Sequence, residues 1–182
     1  DDTHQELSAR SPFASTLPWD FLSPEENETV LKAICKQDYV DNGFALTADA
    51  GWKAWGPVSN DAGEAEFARL LHIFESLKKS GYHRHSALDG DIEGQVLSDG
   101  TAYRVLISRG QHRIAALAAM GATSAPIRLL PKTIARSDVT LWPNVDRGFY
   151  STEQALAVFD RVFQGRQPYD PGVSADQNRK RA

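Results

Sequence analysis

The chain has 182 residues, a formal net charge of -4, 41% hydrophobic and 24% charged residues, and a single cysteine. That length suits one domain with a respectable core and is short for two. The acidic balance argues against a general nucleic-acid binder, and one cysteine excludes an internal disulfide and a cysteine-based zinc site. No run approaches the roughly 20 apolar residues of a membrane helix, and no leader pattern is visible, so a cytoplasmic protein without a transmembrane segment is the expectation.

Residues 1–18 carry Ser8, Ser11, Pro12, Ser15 and Pro18 with little periodicity, and they read as an extended arm that Phe13, Leu17 and Trp19 could pin to the body. Residues 19–166 read as a single domain, and 167–182 as a mobile tail whose basic end, Asn178-Arg179-Lys180-Arg181, reads as solvated in preference to touching a membrane surface or polyanion. Ser23-Pro24-Glu25-Glu26 is a helix start: serine at the N-cap, proline in the first helical position, and glutamate closing a capping box. The helix is predicted to run to about Lys36 and to bury Val30, Leu31 and Ile34, with Cys35 near the core.

Residues 37–60 are irregular and rich in glycine, aspartate and tryptophan, with a short strand expected at Phe44-Ala45-Leu46. Trp52 and Trp55 beside Gly56-Pro57 can build one wall of a substrate pocket, or can cover the core of a small domain. Asp61-Ala62-Gly63-Glu64 opens an amphipathic helix in which Phe67, Leu70, Leu71, Phe74 and Leu77 recur at steps of three and four. His72 lies off the centre of that stripe and reads as structural.

The segment from Tyr82 to Gly94 is polar. His83 and His85 alternate onto one face of an extended chain, as do Asp89, Asp91 and Glu93. No third histidine stands at a diagnostic spacing, so no dedicated metal site is expected. Asp89, Asp91 and Glu93 are the candidate catalytic residues, able to deprotonate an acceptor hydroxyl or to hold Mg2+ through phosphate oxygens; a plain polar turn before a strand is the alternative. Gln95 to Leu97 and Thr101 to Ile107 flank Asp99-Gly100, a favoured two-residue hairpin turn.

The stretch Tyr103 to Leu130 reads as strand, helix, strand, and the whole chain therefore as an α+β fold, a small mixed β-sheet with packed helices. The notable junction is Ser108-Arg109-Gly110-Gln111-His112-Arg113. A helix start is partly positive, so cations there are disfavoured by about 0.3–1 kcal/mol each. Two arginines and a histidine nevertheless crowd it, together with a glycine that permits close backbone approach, and a bound phosphate would relieve the repulsion. The alternative is that Ser108 and Gln111 form a capping box while the arginines bridge to acids elsewhere. Arg109, Gly110, Gln111, His112 and Arg113 are the candidate phosphate-binding residues.

The order strand, Gly110-Gln111-His112-Arg113, alanine-rich helix, Gly121, short strand resembles the core of the ParB/sulfiredoxin superfamily, over about Glu66 to Leu130. The resemblance implies such a core with N- and C-terminal helical extensions, and a glycine–x–x–arginine turn holding the phosphates of ATP, ADP or CTP through Gly110, His112 and Arg113, with Mg2+ where the chemistry is phosphoryl transfer. Gln111 stands where sulfiredoxins carry their catalytic cysteine and Cys35 lies far upstream, so sulfinic-acid reduction by that route is excluded. Nothing after Leu130 resembles the second motif or helix-turn-helix domain of ParB.

Further on, Leu141 to Tyr150 reads as a turn-rich loop in which Trp142 could help to enclose an acceptor and Arg147 offers another anion donor; with Trp52 and Trp55 these complete the candidate substrate pocket. Ser151 and Gln154 cap a last helix with a broad apolar face. Two functions follow as expectations. One is an enzyme transferring a phosphoryl or other group from a phosphorylated donor to a small acceptor; the other is a nucleotide-gated binding module without catalysis. The binding module would act on a protein or nucleic-acid partner, and the acidic net charge and lack of a recognisable DNA-binding helix pair weigh against nucleic acid.

Overall fold

A computed structural model describes residues 14–44, 58–84 and 91–166. Helix α1, Pro24–Asp41, begins as its sequence dictates: the Ser23 hydroxyl accepts from the Glu26 N–H at 3.2 Å, and the Glu26 carboxylate accepts from the Ser23 N–H at 2.7 Å. It outruns Lys36 because nothing between Gln37 and Asp41 breaks a helix, and Gln37 donates to the Asp41 carboxylate at 2.6 Å. Its buried residues are Cys35 and Tyr39, whereas Val30 and Ile34, expected in the core, lie on an open face.

Helix α2, Asn60–Ser80, is capped by Ser59, two positions before the expected signal; its hydroxyl accepts from Ala62 N–H at 3.3 Å. Lys78 and Lys79 occupy the last turn and Gly81 closes it. Only Leu77 of the apolar stripe is buried; Phe67 is 61% exposed. The helix packs against α3, Gln111–Ala119, and not on the main core.

Strand β1, Glu93–Ser98, is the centre of a four-stranded mixed sheet. Strand β2, Tyr103–Arg109, pairs with it antiparallel, while β3, Arg128–Leu129, and β4, Ile134–Ala135, pair with it in parallel on the other side. The chain after α3 thus returns to the same sheet, but beside β1 and across it from β2. The hairpin loop has four residues, Asp99 to Ala102, where two were expected. The Asp99 carboxylate explains the difference: it accepts from the N–H groups of Thr101 and Ala102 at 2.8 and 2.7 Å and from the Thr101 hydroxyl at 2.8 Å, closing the wider loop by itself.

After β4 come a 3-10 helix, Arg136–Leu141, a short helix α4, Pro143–Asp146, and α5, Thr152–Phe163, which starts on the Ser151–Gln154 capping box. The core lies between the sheet and this C-terminal unit: Leu97, Ile134, Val139, Trp142, Ala155, Val158 and Phe159, closed by Trp19 from the N-terminal segment. Trp142 stacks on Phe159 at 5.6 Å and meets Trp19 edge-on at 5.3 Å, arrangements that suit the ring quadrupoles. Among the described residues no helix is long and apolar enough to cross a membrane.

Candidate functional site

The site is built at the end of the sheet where β1 begins and β2 stops. Glu93 pairs with Arg109 and Gly94 with Ile107, so Ser108 is an extra residue in β2, a bulge that re-aims the chain just before α3. The Ser108 hydroxyl donates to the Glu93 carbonyl at 3.3 Å and holds the bulge. Gly110 then turns the chain with a left-handed backbone, φ 81° and ψ 24°. A Cβ there would stand 2.9 Å from the Ile92 Cα and 3.3 Å from the Asp91 carbonyl oxygen, so glycine is required both by its dihedral angles and by the close approach of the neighbouring strand.

This glycine, not Ser108, is the N-cap of α3, so the expected Ser108–Gln111 capping box does not form; Gln111 instead donates from its side chain to the Ser108 carbonyl at 3.1 Å. No side chain caps the helix and no acidic residue lies in its first turn. The N–H groups of Gln111, His112 and Arg113 therefore have no intrahelical acceptor, and the positive end of the helix dipole is left uncompensated. Arg109 is exposed and Arg113 half-buried, and neither side chain has a hydrogen-bond or ion-pair partner among the described residues. His112 Nε2 is 3.9 Å from the Glu66 carboxylate of α2, which also takes Arg69 at 2.8 Å.

Two of the three candidate carboxylates flank this turn, and both are occupied by guanidinium groups. Asp91 is buried and accepts from Arg84 Nε at 3.3 Å; Glu93 is buried and ion-pairs with Arg128. Between them Ile92 is fully buried beneath Gly110, and its N–H donates to the Tyr82 hydroxyl at 2.9 Å. The backbone thus brings Asp91 and Glu93 next to Gly110, while their side chains hold Arg84 and Arg128. A magnesium ion would have to displace an arginine from either one, and among the described residues no three His, Cys, Asp or Glu side chains group to hold a metal. Asp91 and Glu93 as placed here hold arginines and not an open Mg2+ position, and Asp89, the third candidate, lies outside the described residues.

The candidate substrate pocket divides. Trp142 is 2% exposed, a core residue stacked on Phe159, and Arg147 donates to the Phe21 carbonyl at 2.6 Å with Glu26 at 3.7 Å, so both fasten the N-terminal segment to the C-terminal unit. Sequence alone sets Trp142 in a turn-rich loop with Phe149 and Tyr150; its stacking partner on α5 is 17 positions on and gives no local signal. Asp89, Trp52, Trp55 and His85 lie outside the described residues, as do 1–13 and 167–182. His83 is held through Nε2 against the Ser80 carbonyl at 2.7 Å.

Arg84 and Arg128 were not among the expected site residues. For Arg128 a signal exists: a lone cation inside the apolar strand Pro126-Ile127-Arg128-Leu129-Leu130 needs a carboxylate partner wherever it is drawn toward the protein. Arg84 has no comparable marker, since it sits in a polar stretch. Comparison of the chain with family models, with curated proteins and with solved structures finds no significant match.

Proposed function

We propose that this chain binds a phosphorylated small molecule, a nucleotide such as ATP, ADP or CTP, with its phosphates seated on the turn between β2 and α3. The observation that carries the reading is a helix start with a left-handed glycine cap, no capping side chain and no acidic residue, flanked by two arginines without partners among the described residues. Each of these features disfavours the bare turn, and an anion offsets all of them together. The order of elements around Gly110-Gln111-His112-Arg113 supports the likeness to ParB/sulfiredoxin cores as the source of this binding mode. Gly110 lets the phosphate approach the backbone, the N–H groups of Gln111 to Arg113 donate to it, and Arg109, His112 and Arg113 add charged donors.

Transfer of the bound group to a small acceptor is the second reading, favoured by the burial of Asp91 and Glu93 beside the turn. Binding without catalysis is the better supported of the two, because both carboxylates are engaged by arginines and serve to position them. Titration calorimetry with ATP, CTP, ADP and inorganic phosphate tests the site. Arg113→Ala is expected to weaken binding by about 1.5–3 kcal/mol, and equal affinity in the two proteins would remove the claim. Turnover of any of these donors by the full chain would move the assignment to the second reading.

A further inference from the structure

Strand β2 ends the sheet: β1 lies on one side of it, and among the described residues no strand lies on the other. Two backbone hydrogen bonds fix which of its groups face that open side. The Asp99 N–H donates to the Ala102 carbonyl at 3.3 Å, so these two are a hydrogen-bonded pair. Opposed residues of an antiparallel ladder alternate between bonded and non-bonded pairs, which makes Tyr103, Val105 and Ile107 the non-bonded partners of Ser98, Val96 and Gly94. The Gly94 carbonyl confirms the phase, since it accepts from the Leu130 N–H at 2.8 Å on the far side of β1. The N–H and C=O groups of Val105 and Ile107 therefore point away from β1, and among the described residues no backbone bond from outside the sheet reaches them. Edges of this kind are usually guarded against pairing. Here the guards stand at the two ends: Arg104 donates to the Tyr103 carbonyl at 2.9 Å, and the bulge lies at Ser108. Between them Val105, Leu106 and Ile107 are only half-buried, with neither proline nor lysine in the strand.

We propose that this edge is an interface with a second copy of the chain, the two β2 strands pairing antiparallel about a twofold axis at Leu106 to form one continuous sheet. The strand's own sequence selects that occupant. With the axis at Leu106, Val105 lies opposite Ile107 of the second copy, Leu106 opposite its mate, and Arg104 opposite Ser108. Apolar residues thus meet apolar ones, no guanidinium faces another, and the open groups of Val105 and Ile107 satisfy one another across the axis. Neighbouring registers that match the same groups are poorer. An axis at Arg104 opposes two guanidinium groups, and one at Val105 needs the Tyr103 carbonyl that Arg104 already takes. Such an axis is normal to the sheet and maps each face onto itself, so the two Leu106 side chains meet on the face that packs on the core.

Sedimentation velocity of the full chain over a wide concentration range, with amide hydrogen exchange read at the same concentrations, is the test. The expected result is a monomer–dimer equilibrium in which the Val105 and Ile107 amides become protected as the dimer forms. Ser108→Lys sets a cation opposite Arg104 twice per dimer and should weaken association by about threefold or more, while Ser108→Glu sets a carboxylate there and should tighten it by about as much. Both variants lose the Ser108 hydroxyl bond to the Glu93 carbonyl, so the opposite sign of their effects isolates the charge. Should either variant fail to fold, the exchange data on the wild type decide alone. A chain that stays monomeric at every concentration overturns the proposal. So do Val105 and Ile107 amides that are equally protected at all concentrations, as cover by the chain's own residues would give, and a dimer that leaves them exchanging freely. Ser108→Lys and Ser108→Glu changing association in the same sense would overturn the register with Leu106 at the axis.

Discussion

Asn144 donates its side-chain amide to the Leu17 carbonyl at 3.1 Å across 127 positions of sequence, and the same nitrogen reaches the carbonyls of Asp20 and Leu22 at 3.2 and 3.0 Å. The residue is fully buried, and its backbone N–H also donates to the Pro18 carbonyl at 3.0 Å. Asn144 thus ties the N-terminal segment to α4 and seats Trp19 in the core. The amide cannot be turned over, since its oxygen would then face three carbonyl oxygens.

Asn144→Ala should accordingly destabilise the fold by about 2–4 kcal/mol, because three carbonyls around a buried amide lose a shared donor and the core loses volume. For a chain of this size that is a fall in Tm of about 5–15 °C by circular dichroism. Asn144→Asp should be worse than alanine, since it points a carboxylate at the same three oxygens. A melting point within a degree of wild type for either would show that Trp19 is seated by packing alone.

The glycines of the β2–α3–β3 segment make a comparative prediction. Gly110 and Gly121 both have left-handed backbones, at φ 81° and 80°, but a Cβ at Gly121 meets nothing within 4 Å, whereas at Gly110 it meets the Ile92 backbone at 2.9 Å. Gly121→Ala should cost only the conformational strain, about 1 kcal/mol. Gly110→Ala adds a clash that no side-chain rotation relieves, so its loss should be larger by about 1–3 kcal/mol and should also lower phosphate affinity. Chemical denaturation of the two variants side by side measures the difference, and equal losses would contradict the close approach at Ile92.

These cases also mark how far the fold was legible from sequence. Capping and periodicity are local, so the α1 and α5 starts, the helix α2, the Gly110 turn and the α+β class can all be read from a few adjacent residues. The hairpin loop was placed but sized wrongly, because Asp99-Gly100 looks like a two-residue turn until the carboxylate is seen to bond two residues on. What was not legible is long-range. Trp142 and Arg147 looked like ligand groups because their partners, Trp19 and the Phe21 carbonyl, lie more than a hundred positions away. The apolar faces of α1 and α2 misled in the opposite sense: Val30, Ile34, Phe67 and Leu71 have helical spacing but stay open, since the core formed around the C-terminal unit. To the phosphate site proposed at Gly110 to Arg113 the structure adds the missing cap and two arginines without partners among the described residues.

Stability should depend on pH through two carboxylates acting in opposite directions. Arg136 makes a two-point pair with Asp160, at 2.8 and 2.9 Å, and this hydrogen bonding holds the Asp160 carboxyl below its usual range. A lowered folded pKa contributes stability that is present above the unfolded value of about 3.9 and is lost as pH falls through the folded value. Asp20 is the reverse: burial raises its pKa although it accepts the Leu17 N–H at 2.7 Å, so its contribution favours the fold at low pH and fades as pH rises through the raised value. Asp160→Asn should therefore flatten the loss of stability on the acid side. Asp20→Asn, which keeps an acceptor for Leu17, should be more stable than wild type near neutral pH. Melting curves from about pH 3 to 8 test both, and an Asp20→Asn protein less stable than wild type at pH 7 would reverse the assignment.

The last prediction separates positioning from chemistry at the buried carboxylates. Asp91 is held at 3.3 Å by Arg84 and Glu93 is paired with Arg128, so replacing either carboxylate by its amide leaves a group that can still accept from the same guanidinium. If these acids only orient arginines, Asp91→Asn should shift phosphate affinity by less than about threefold. If instead one of them takes a proton from an acceptor, its amide variant should bind ATP or CTP normally and lose about a hundredfold or more in turnover, the usual worth of a positioned base. Calorimetry combined with a product assay on Asp91→Asn and Glu93→Gln resolves the two patterns. The double ion pairing beside Gly110 favours the first, and a hundredfold loss of turnover at unchanged affinity would establish the second.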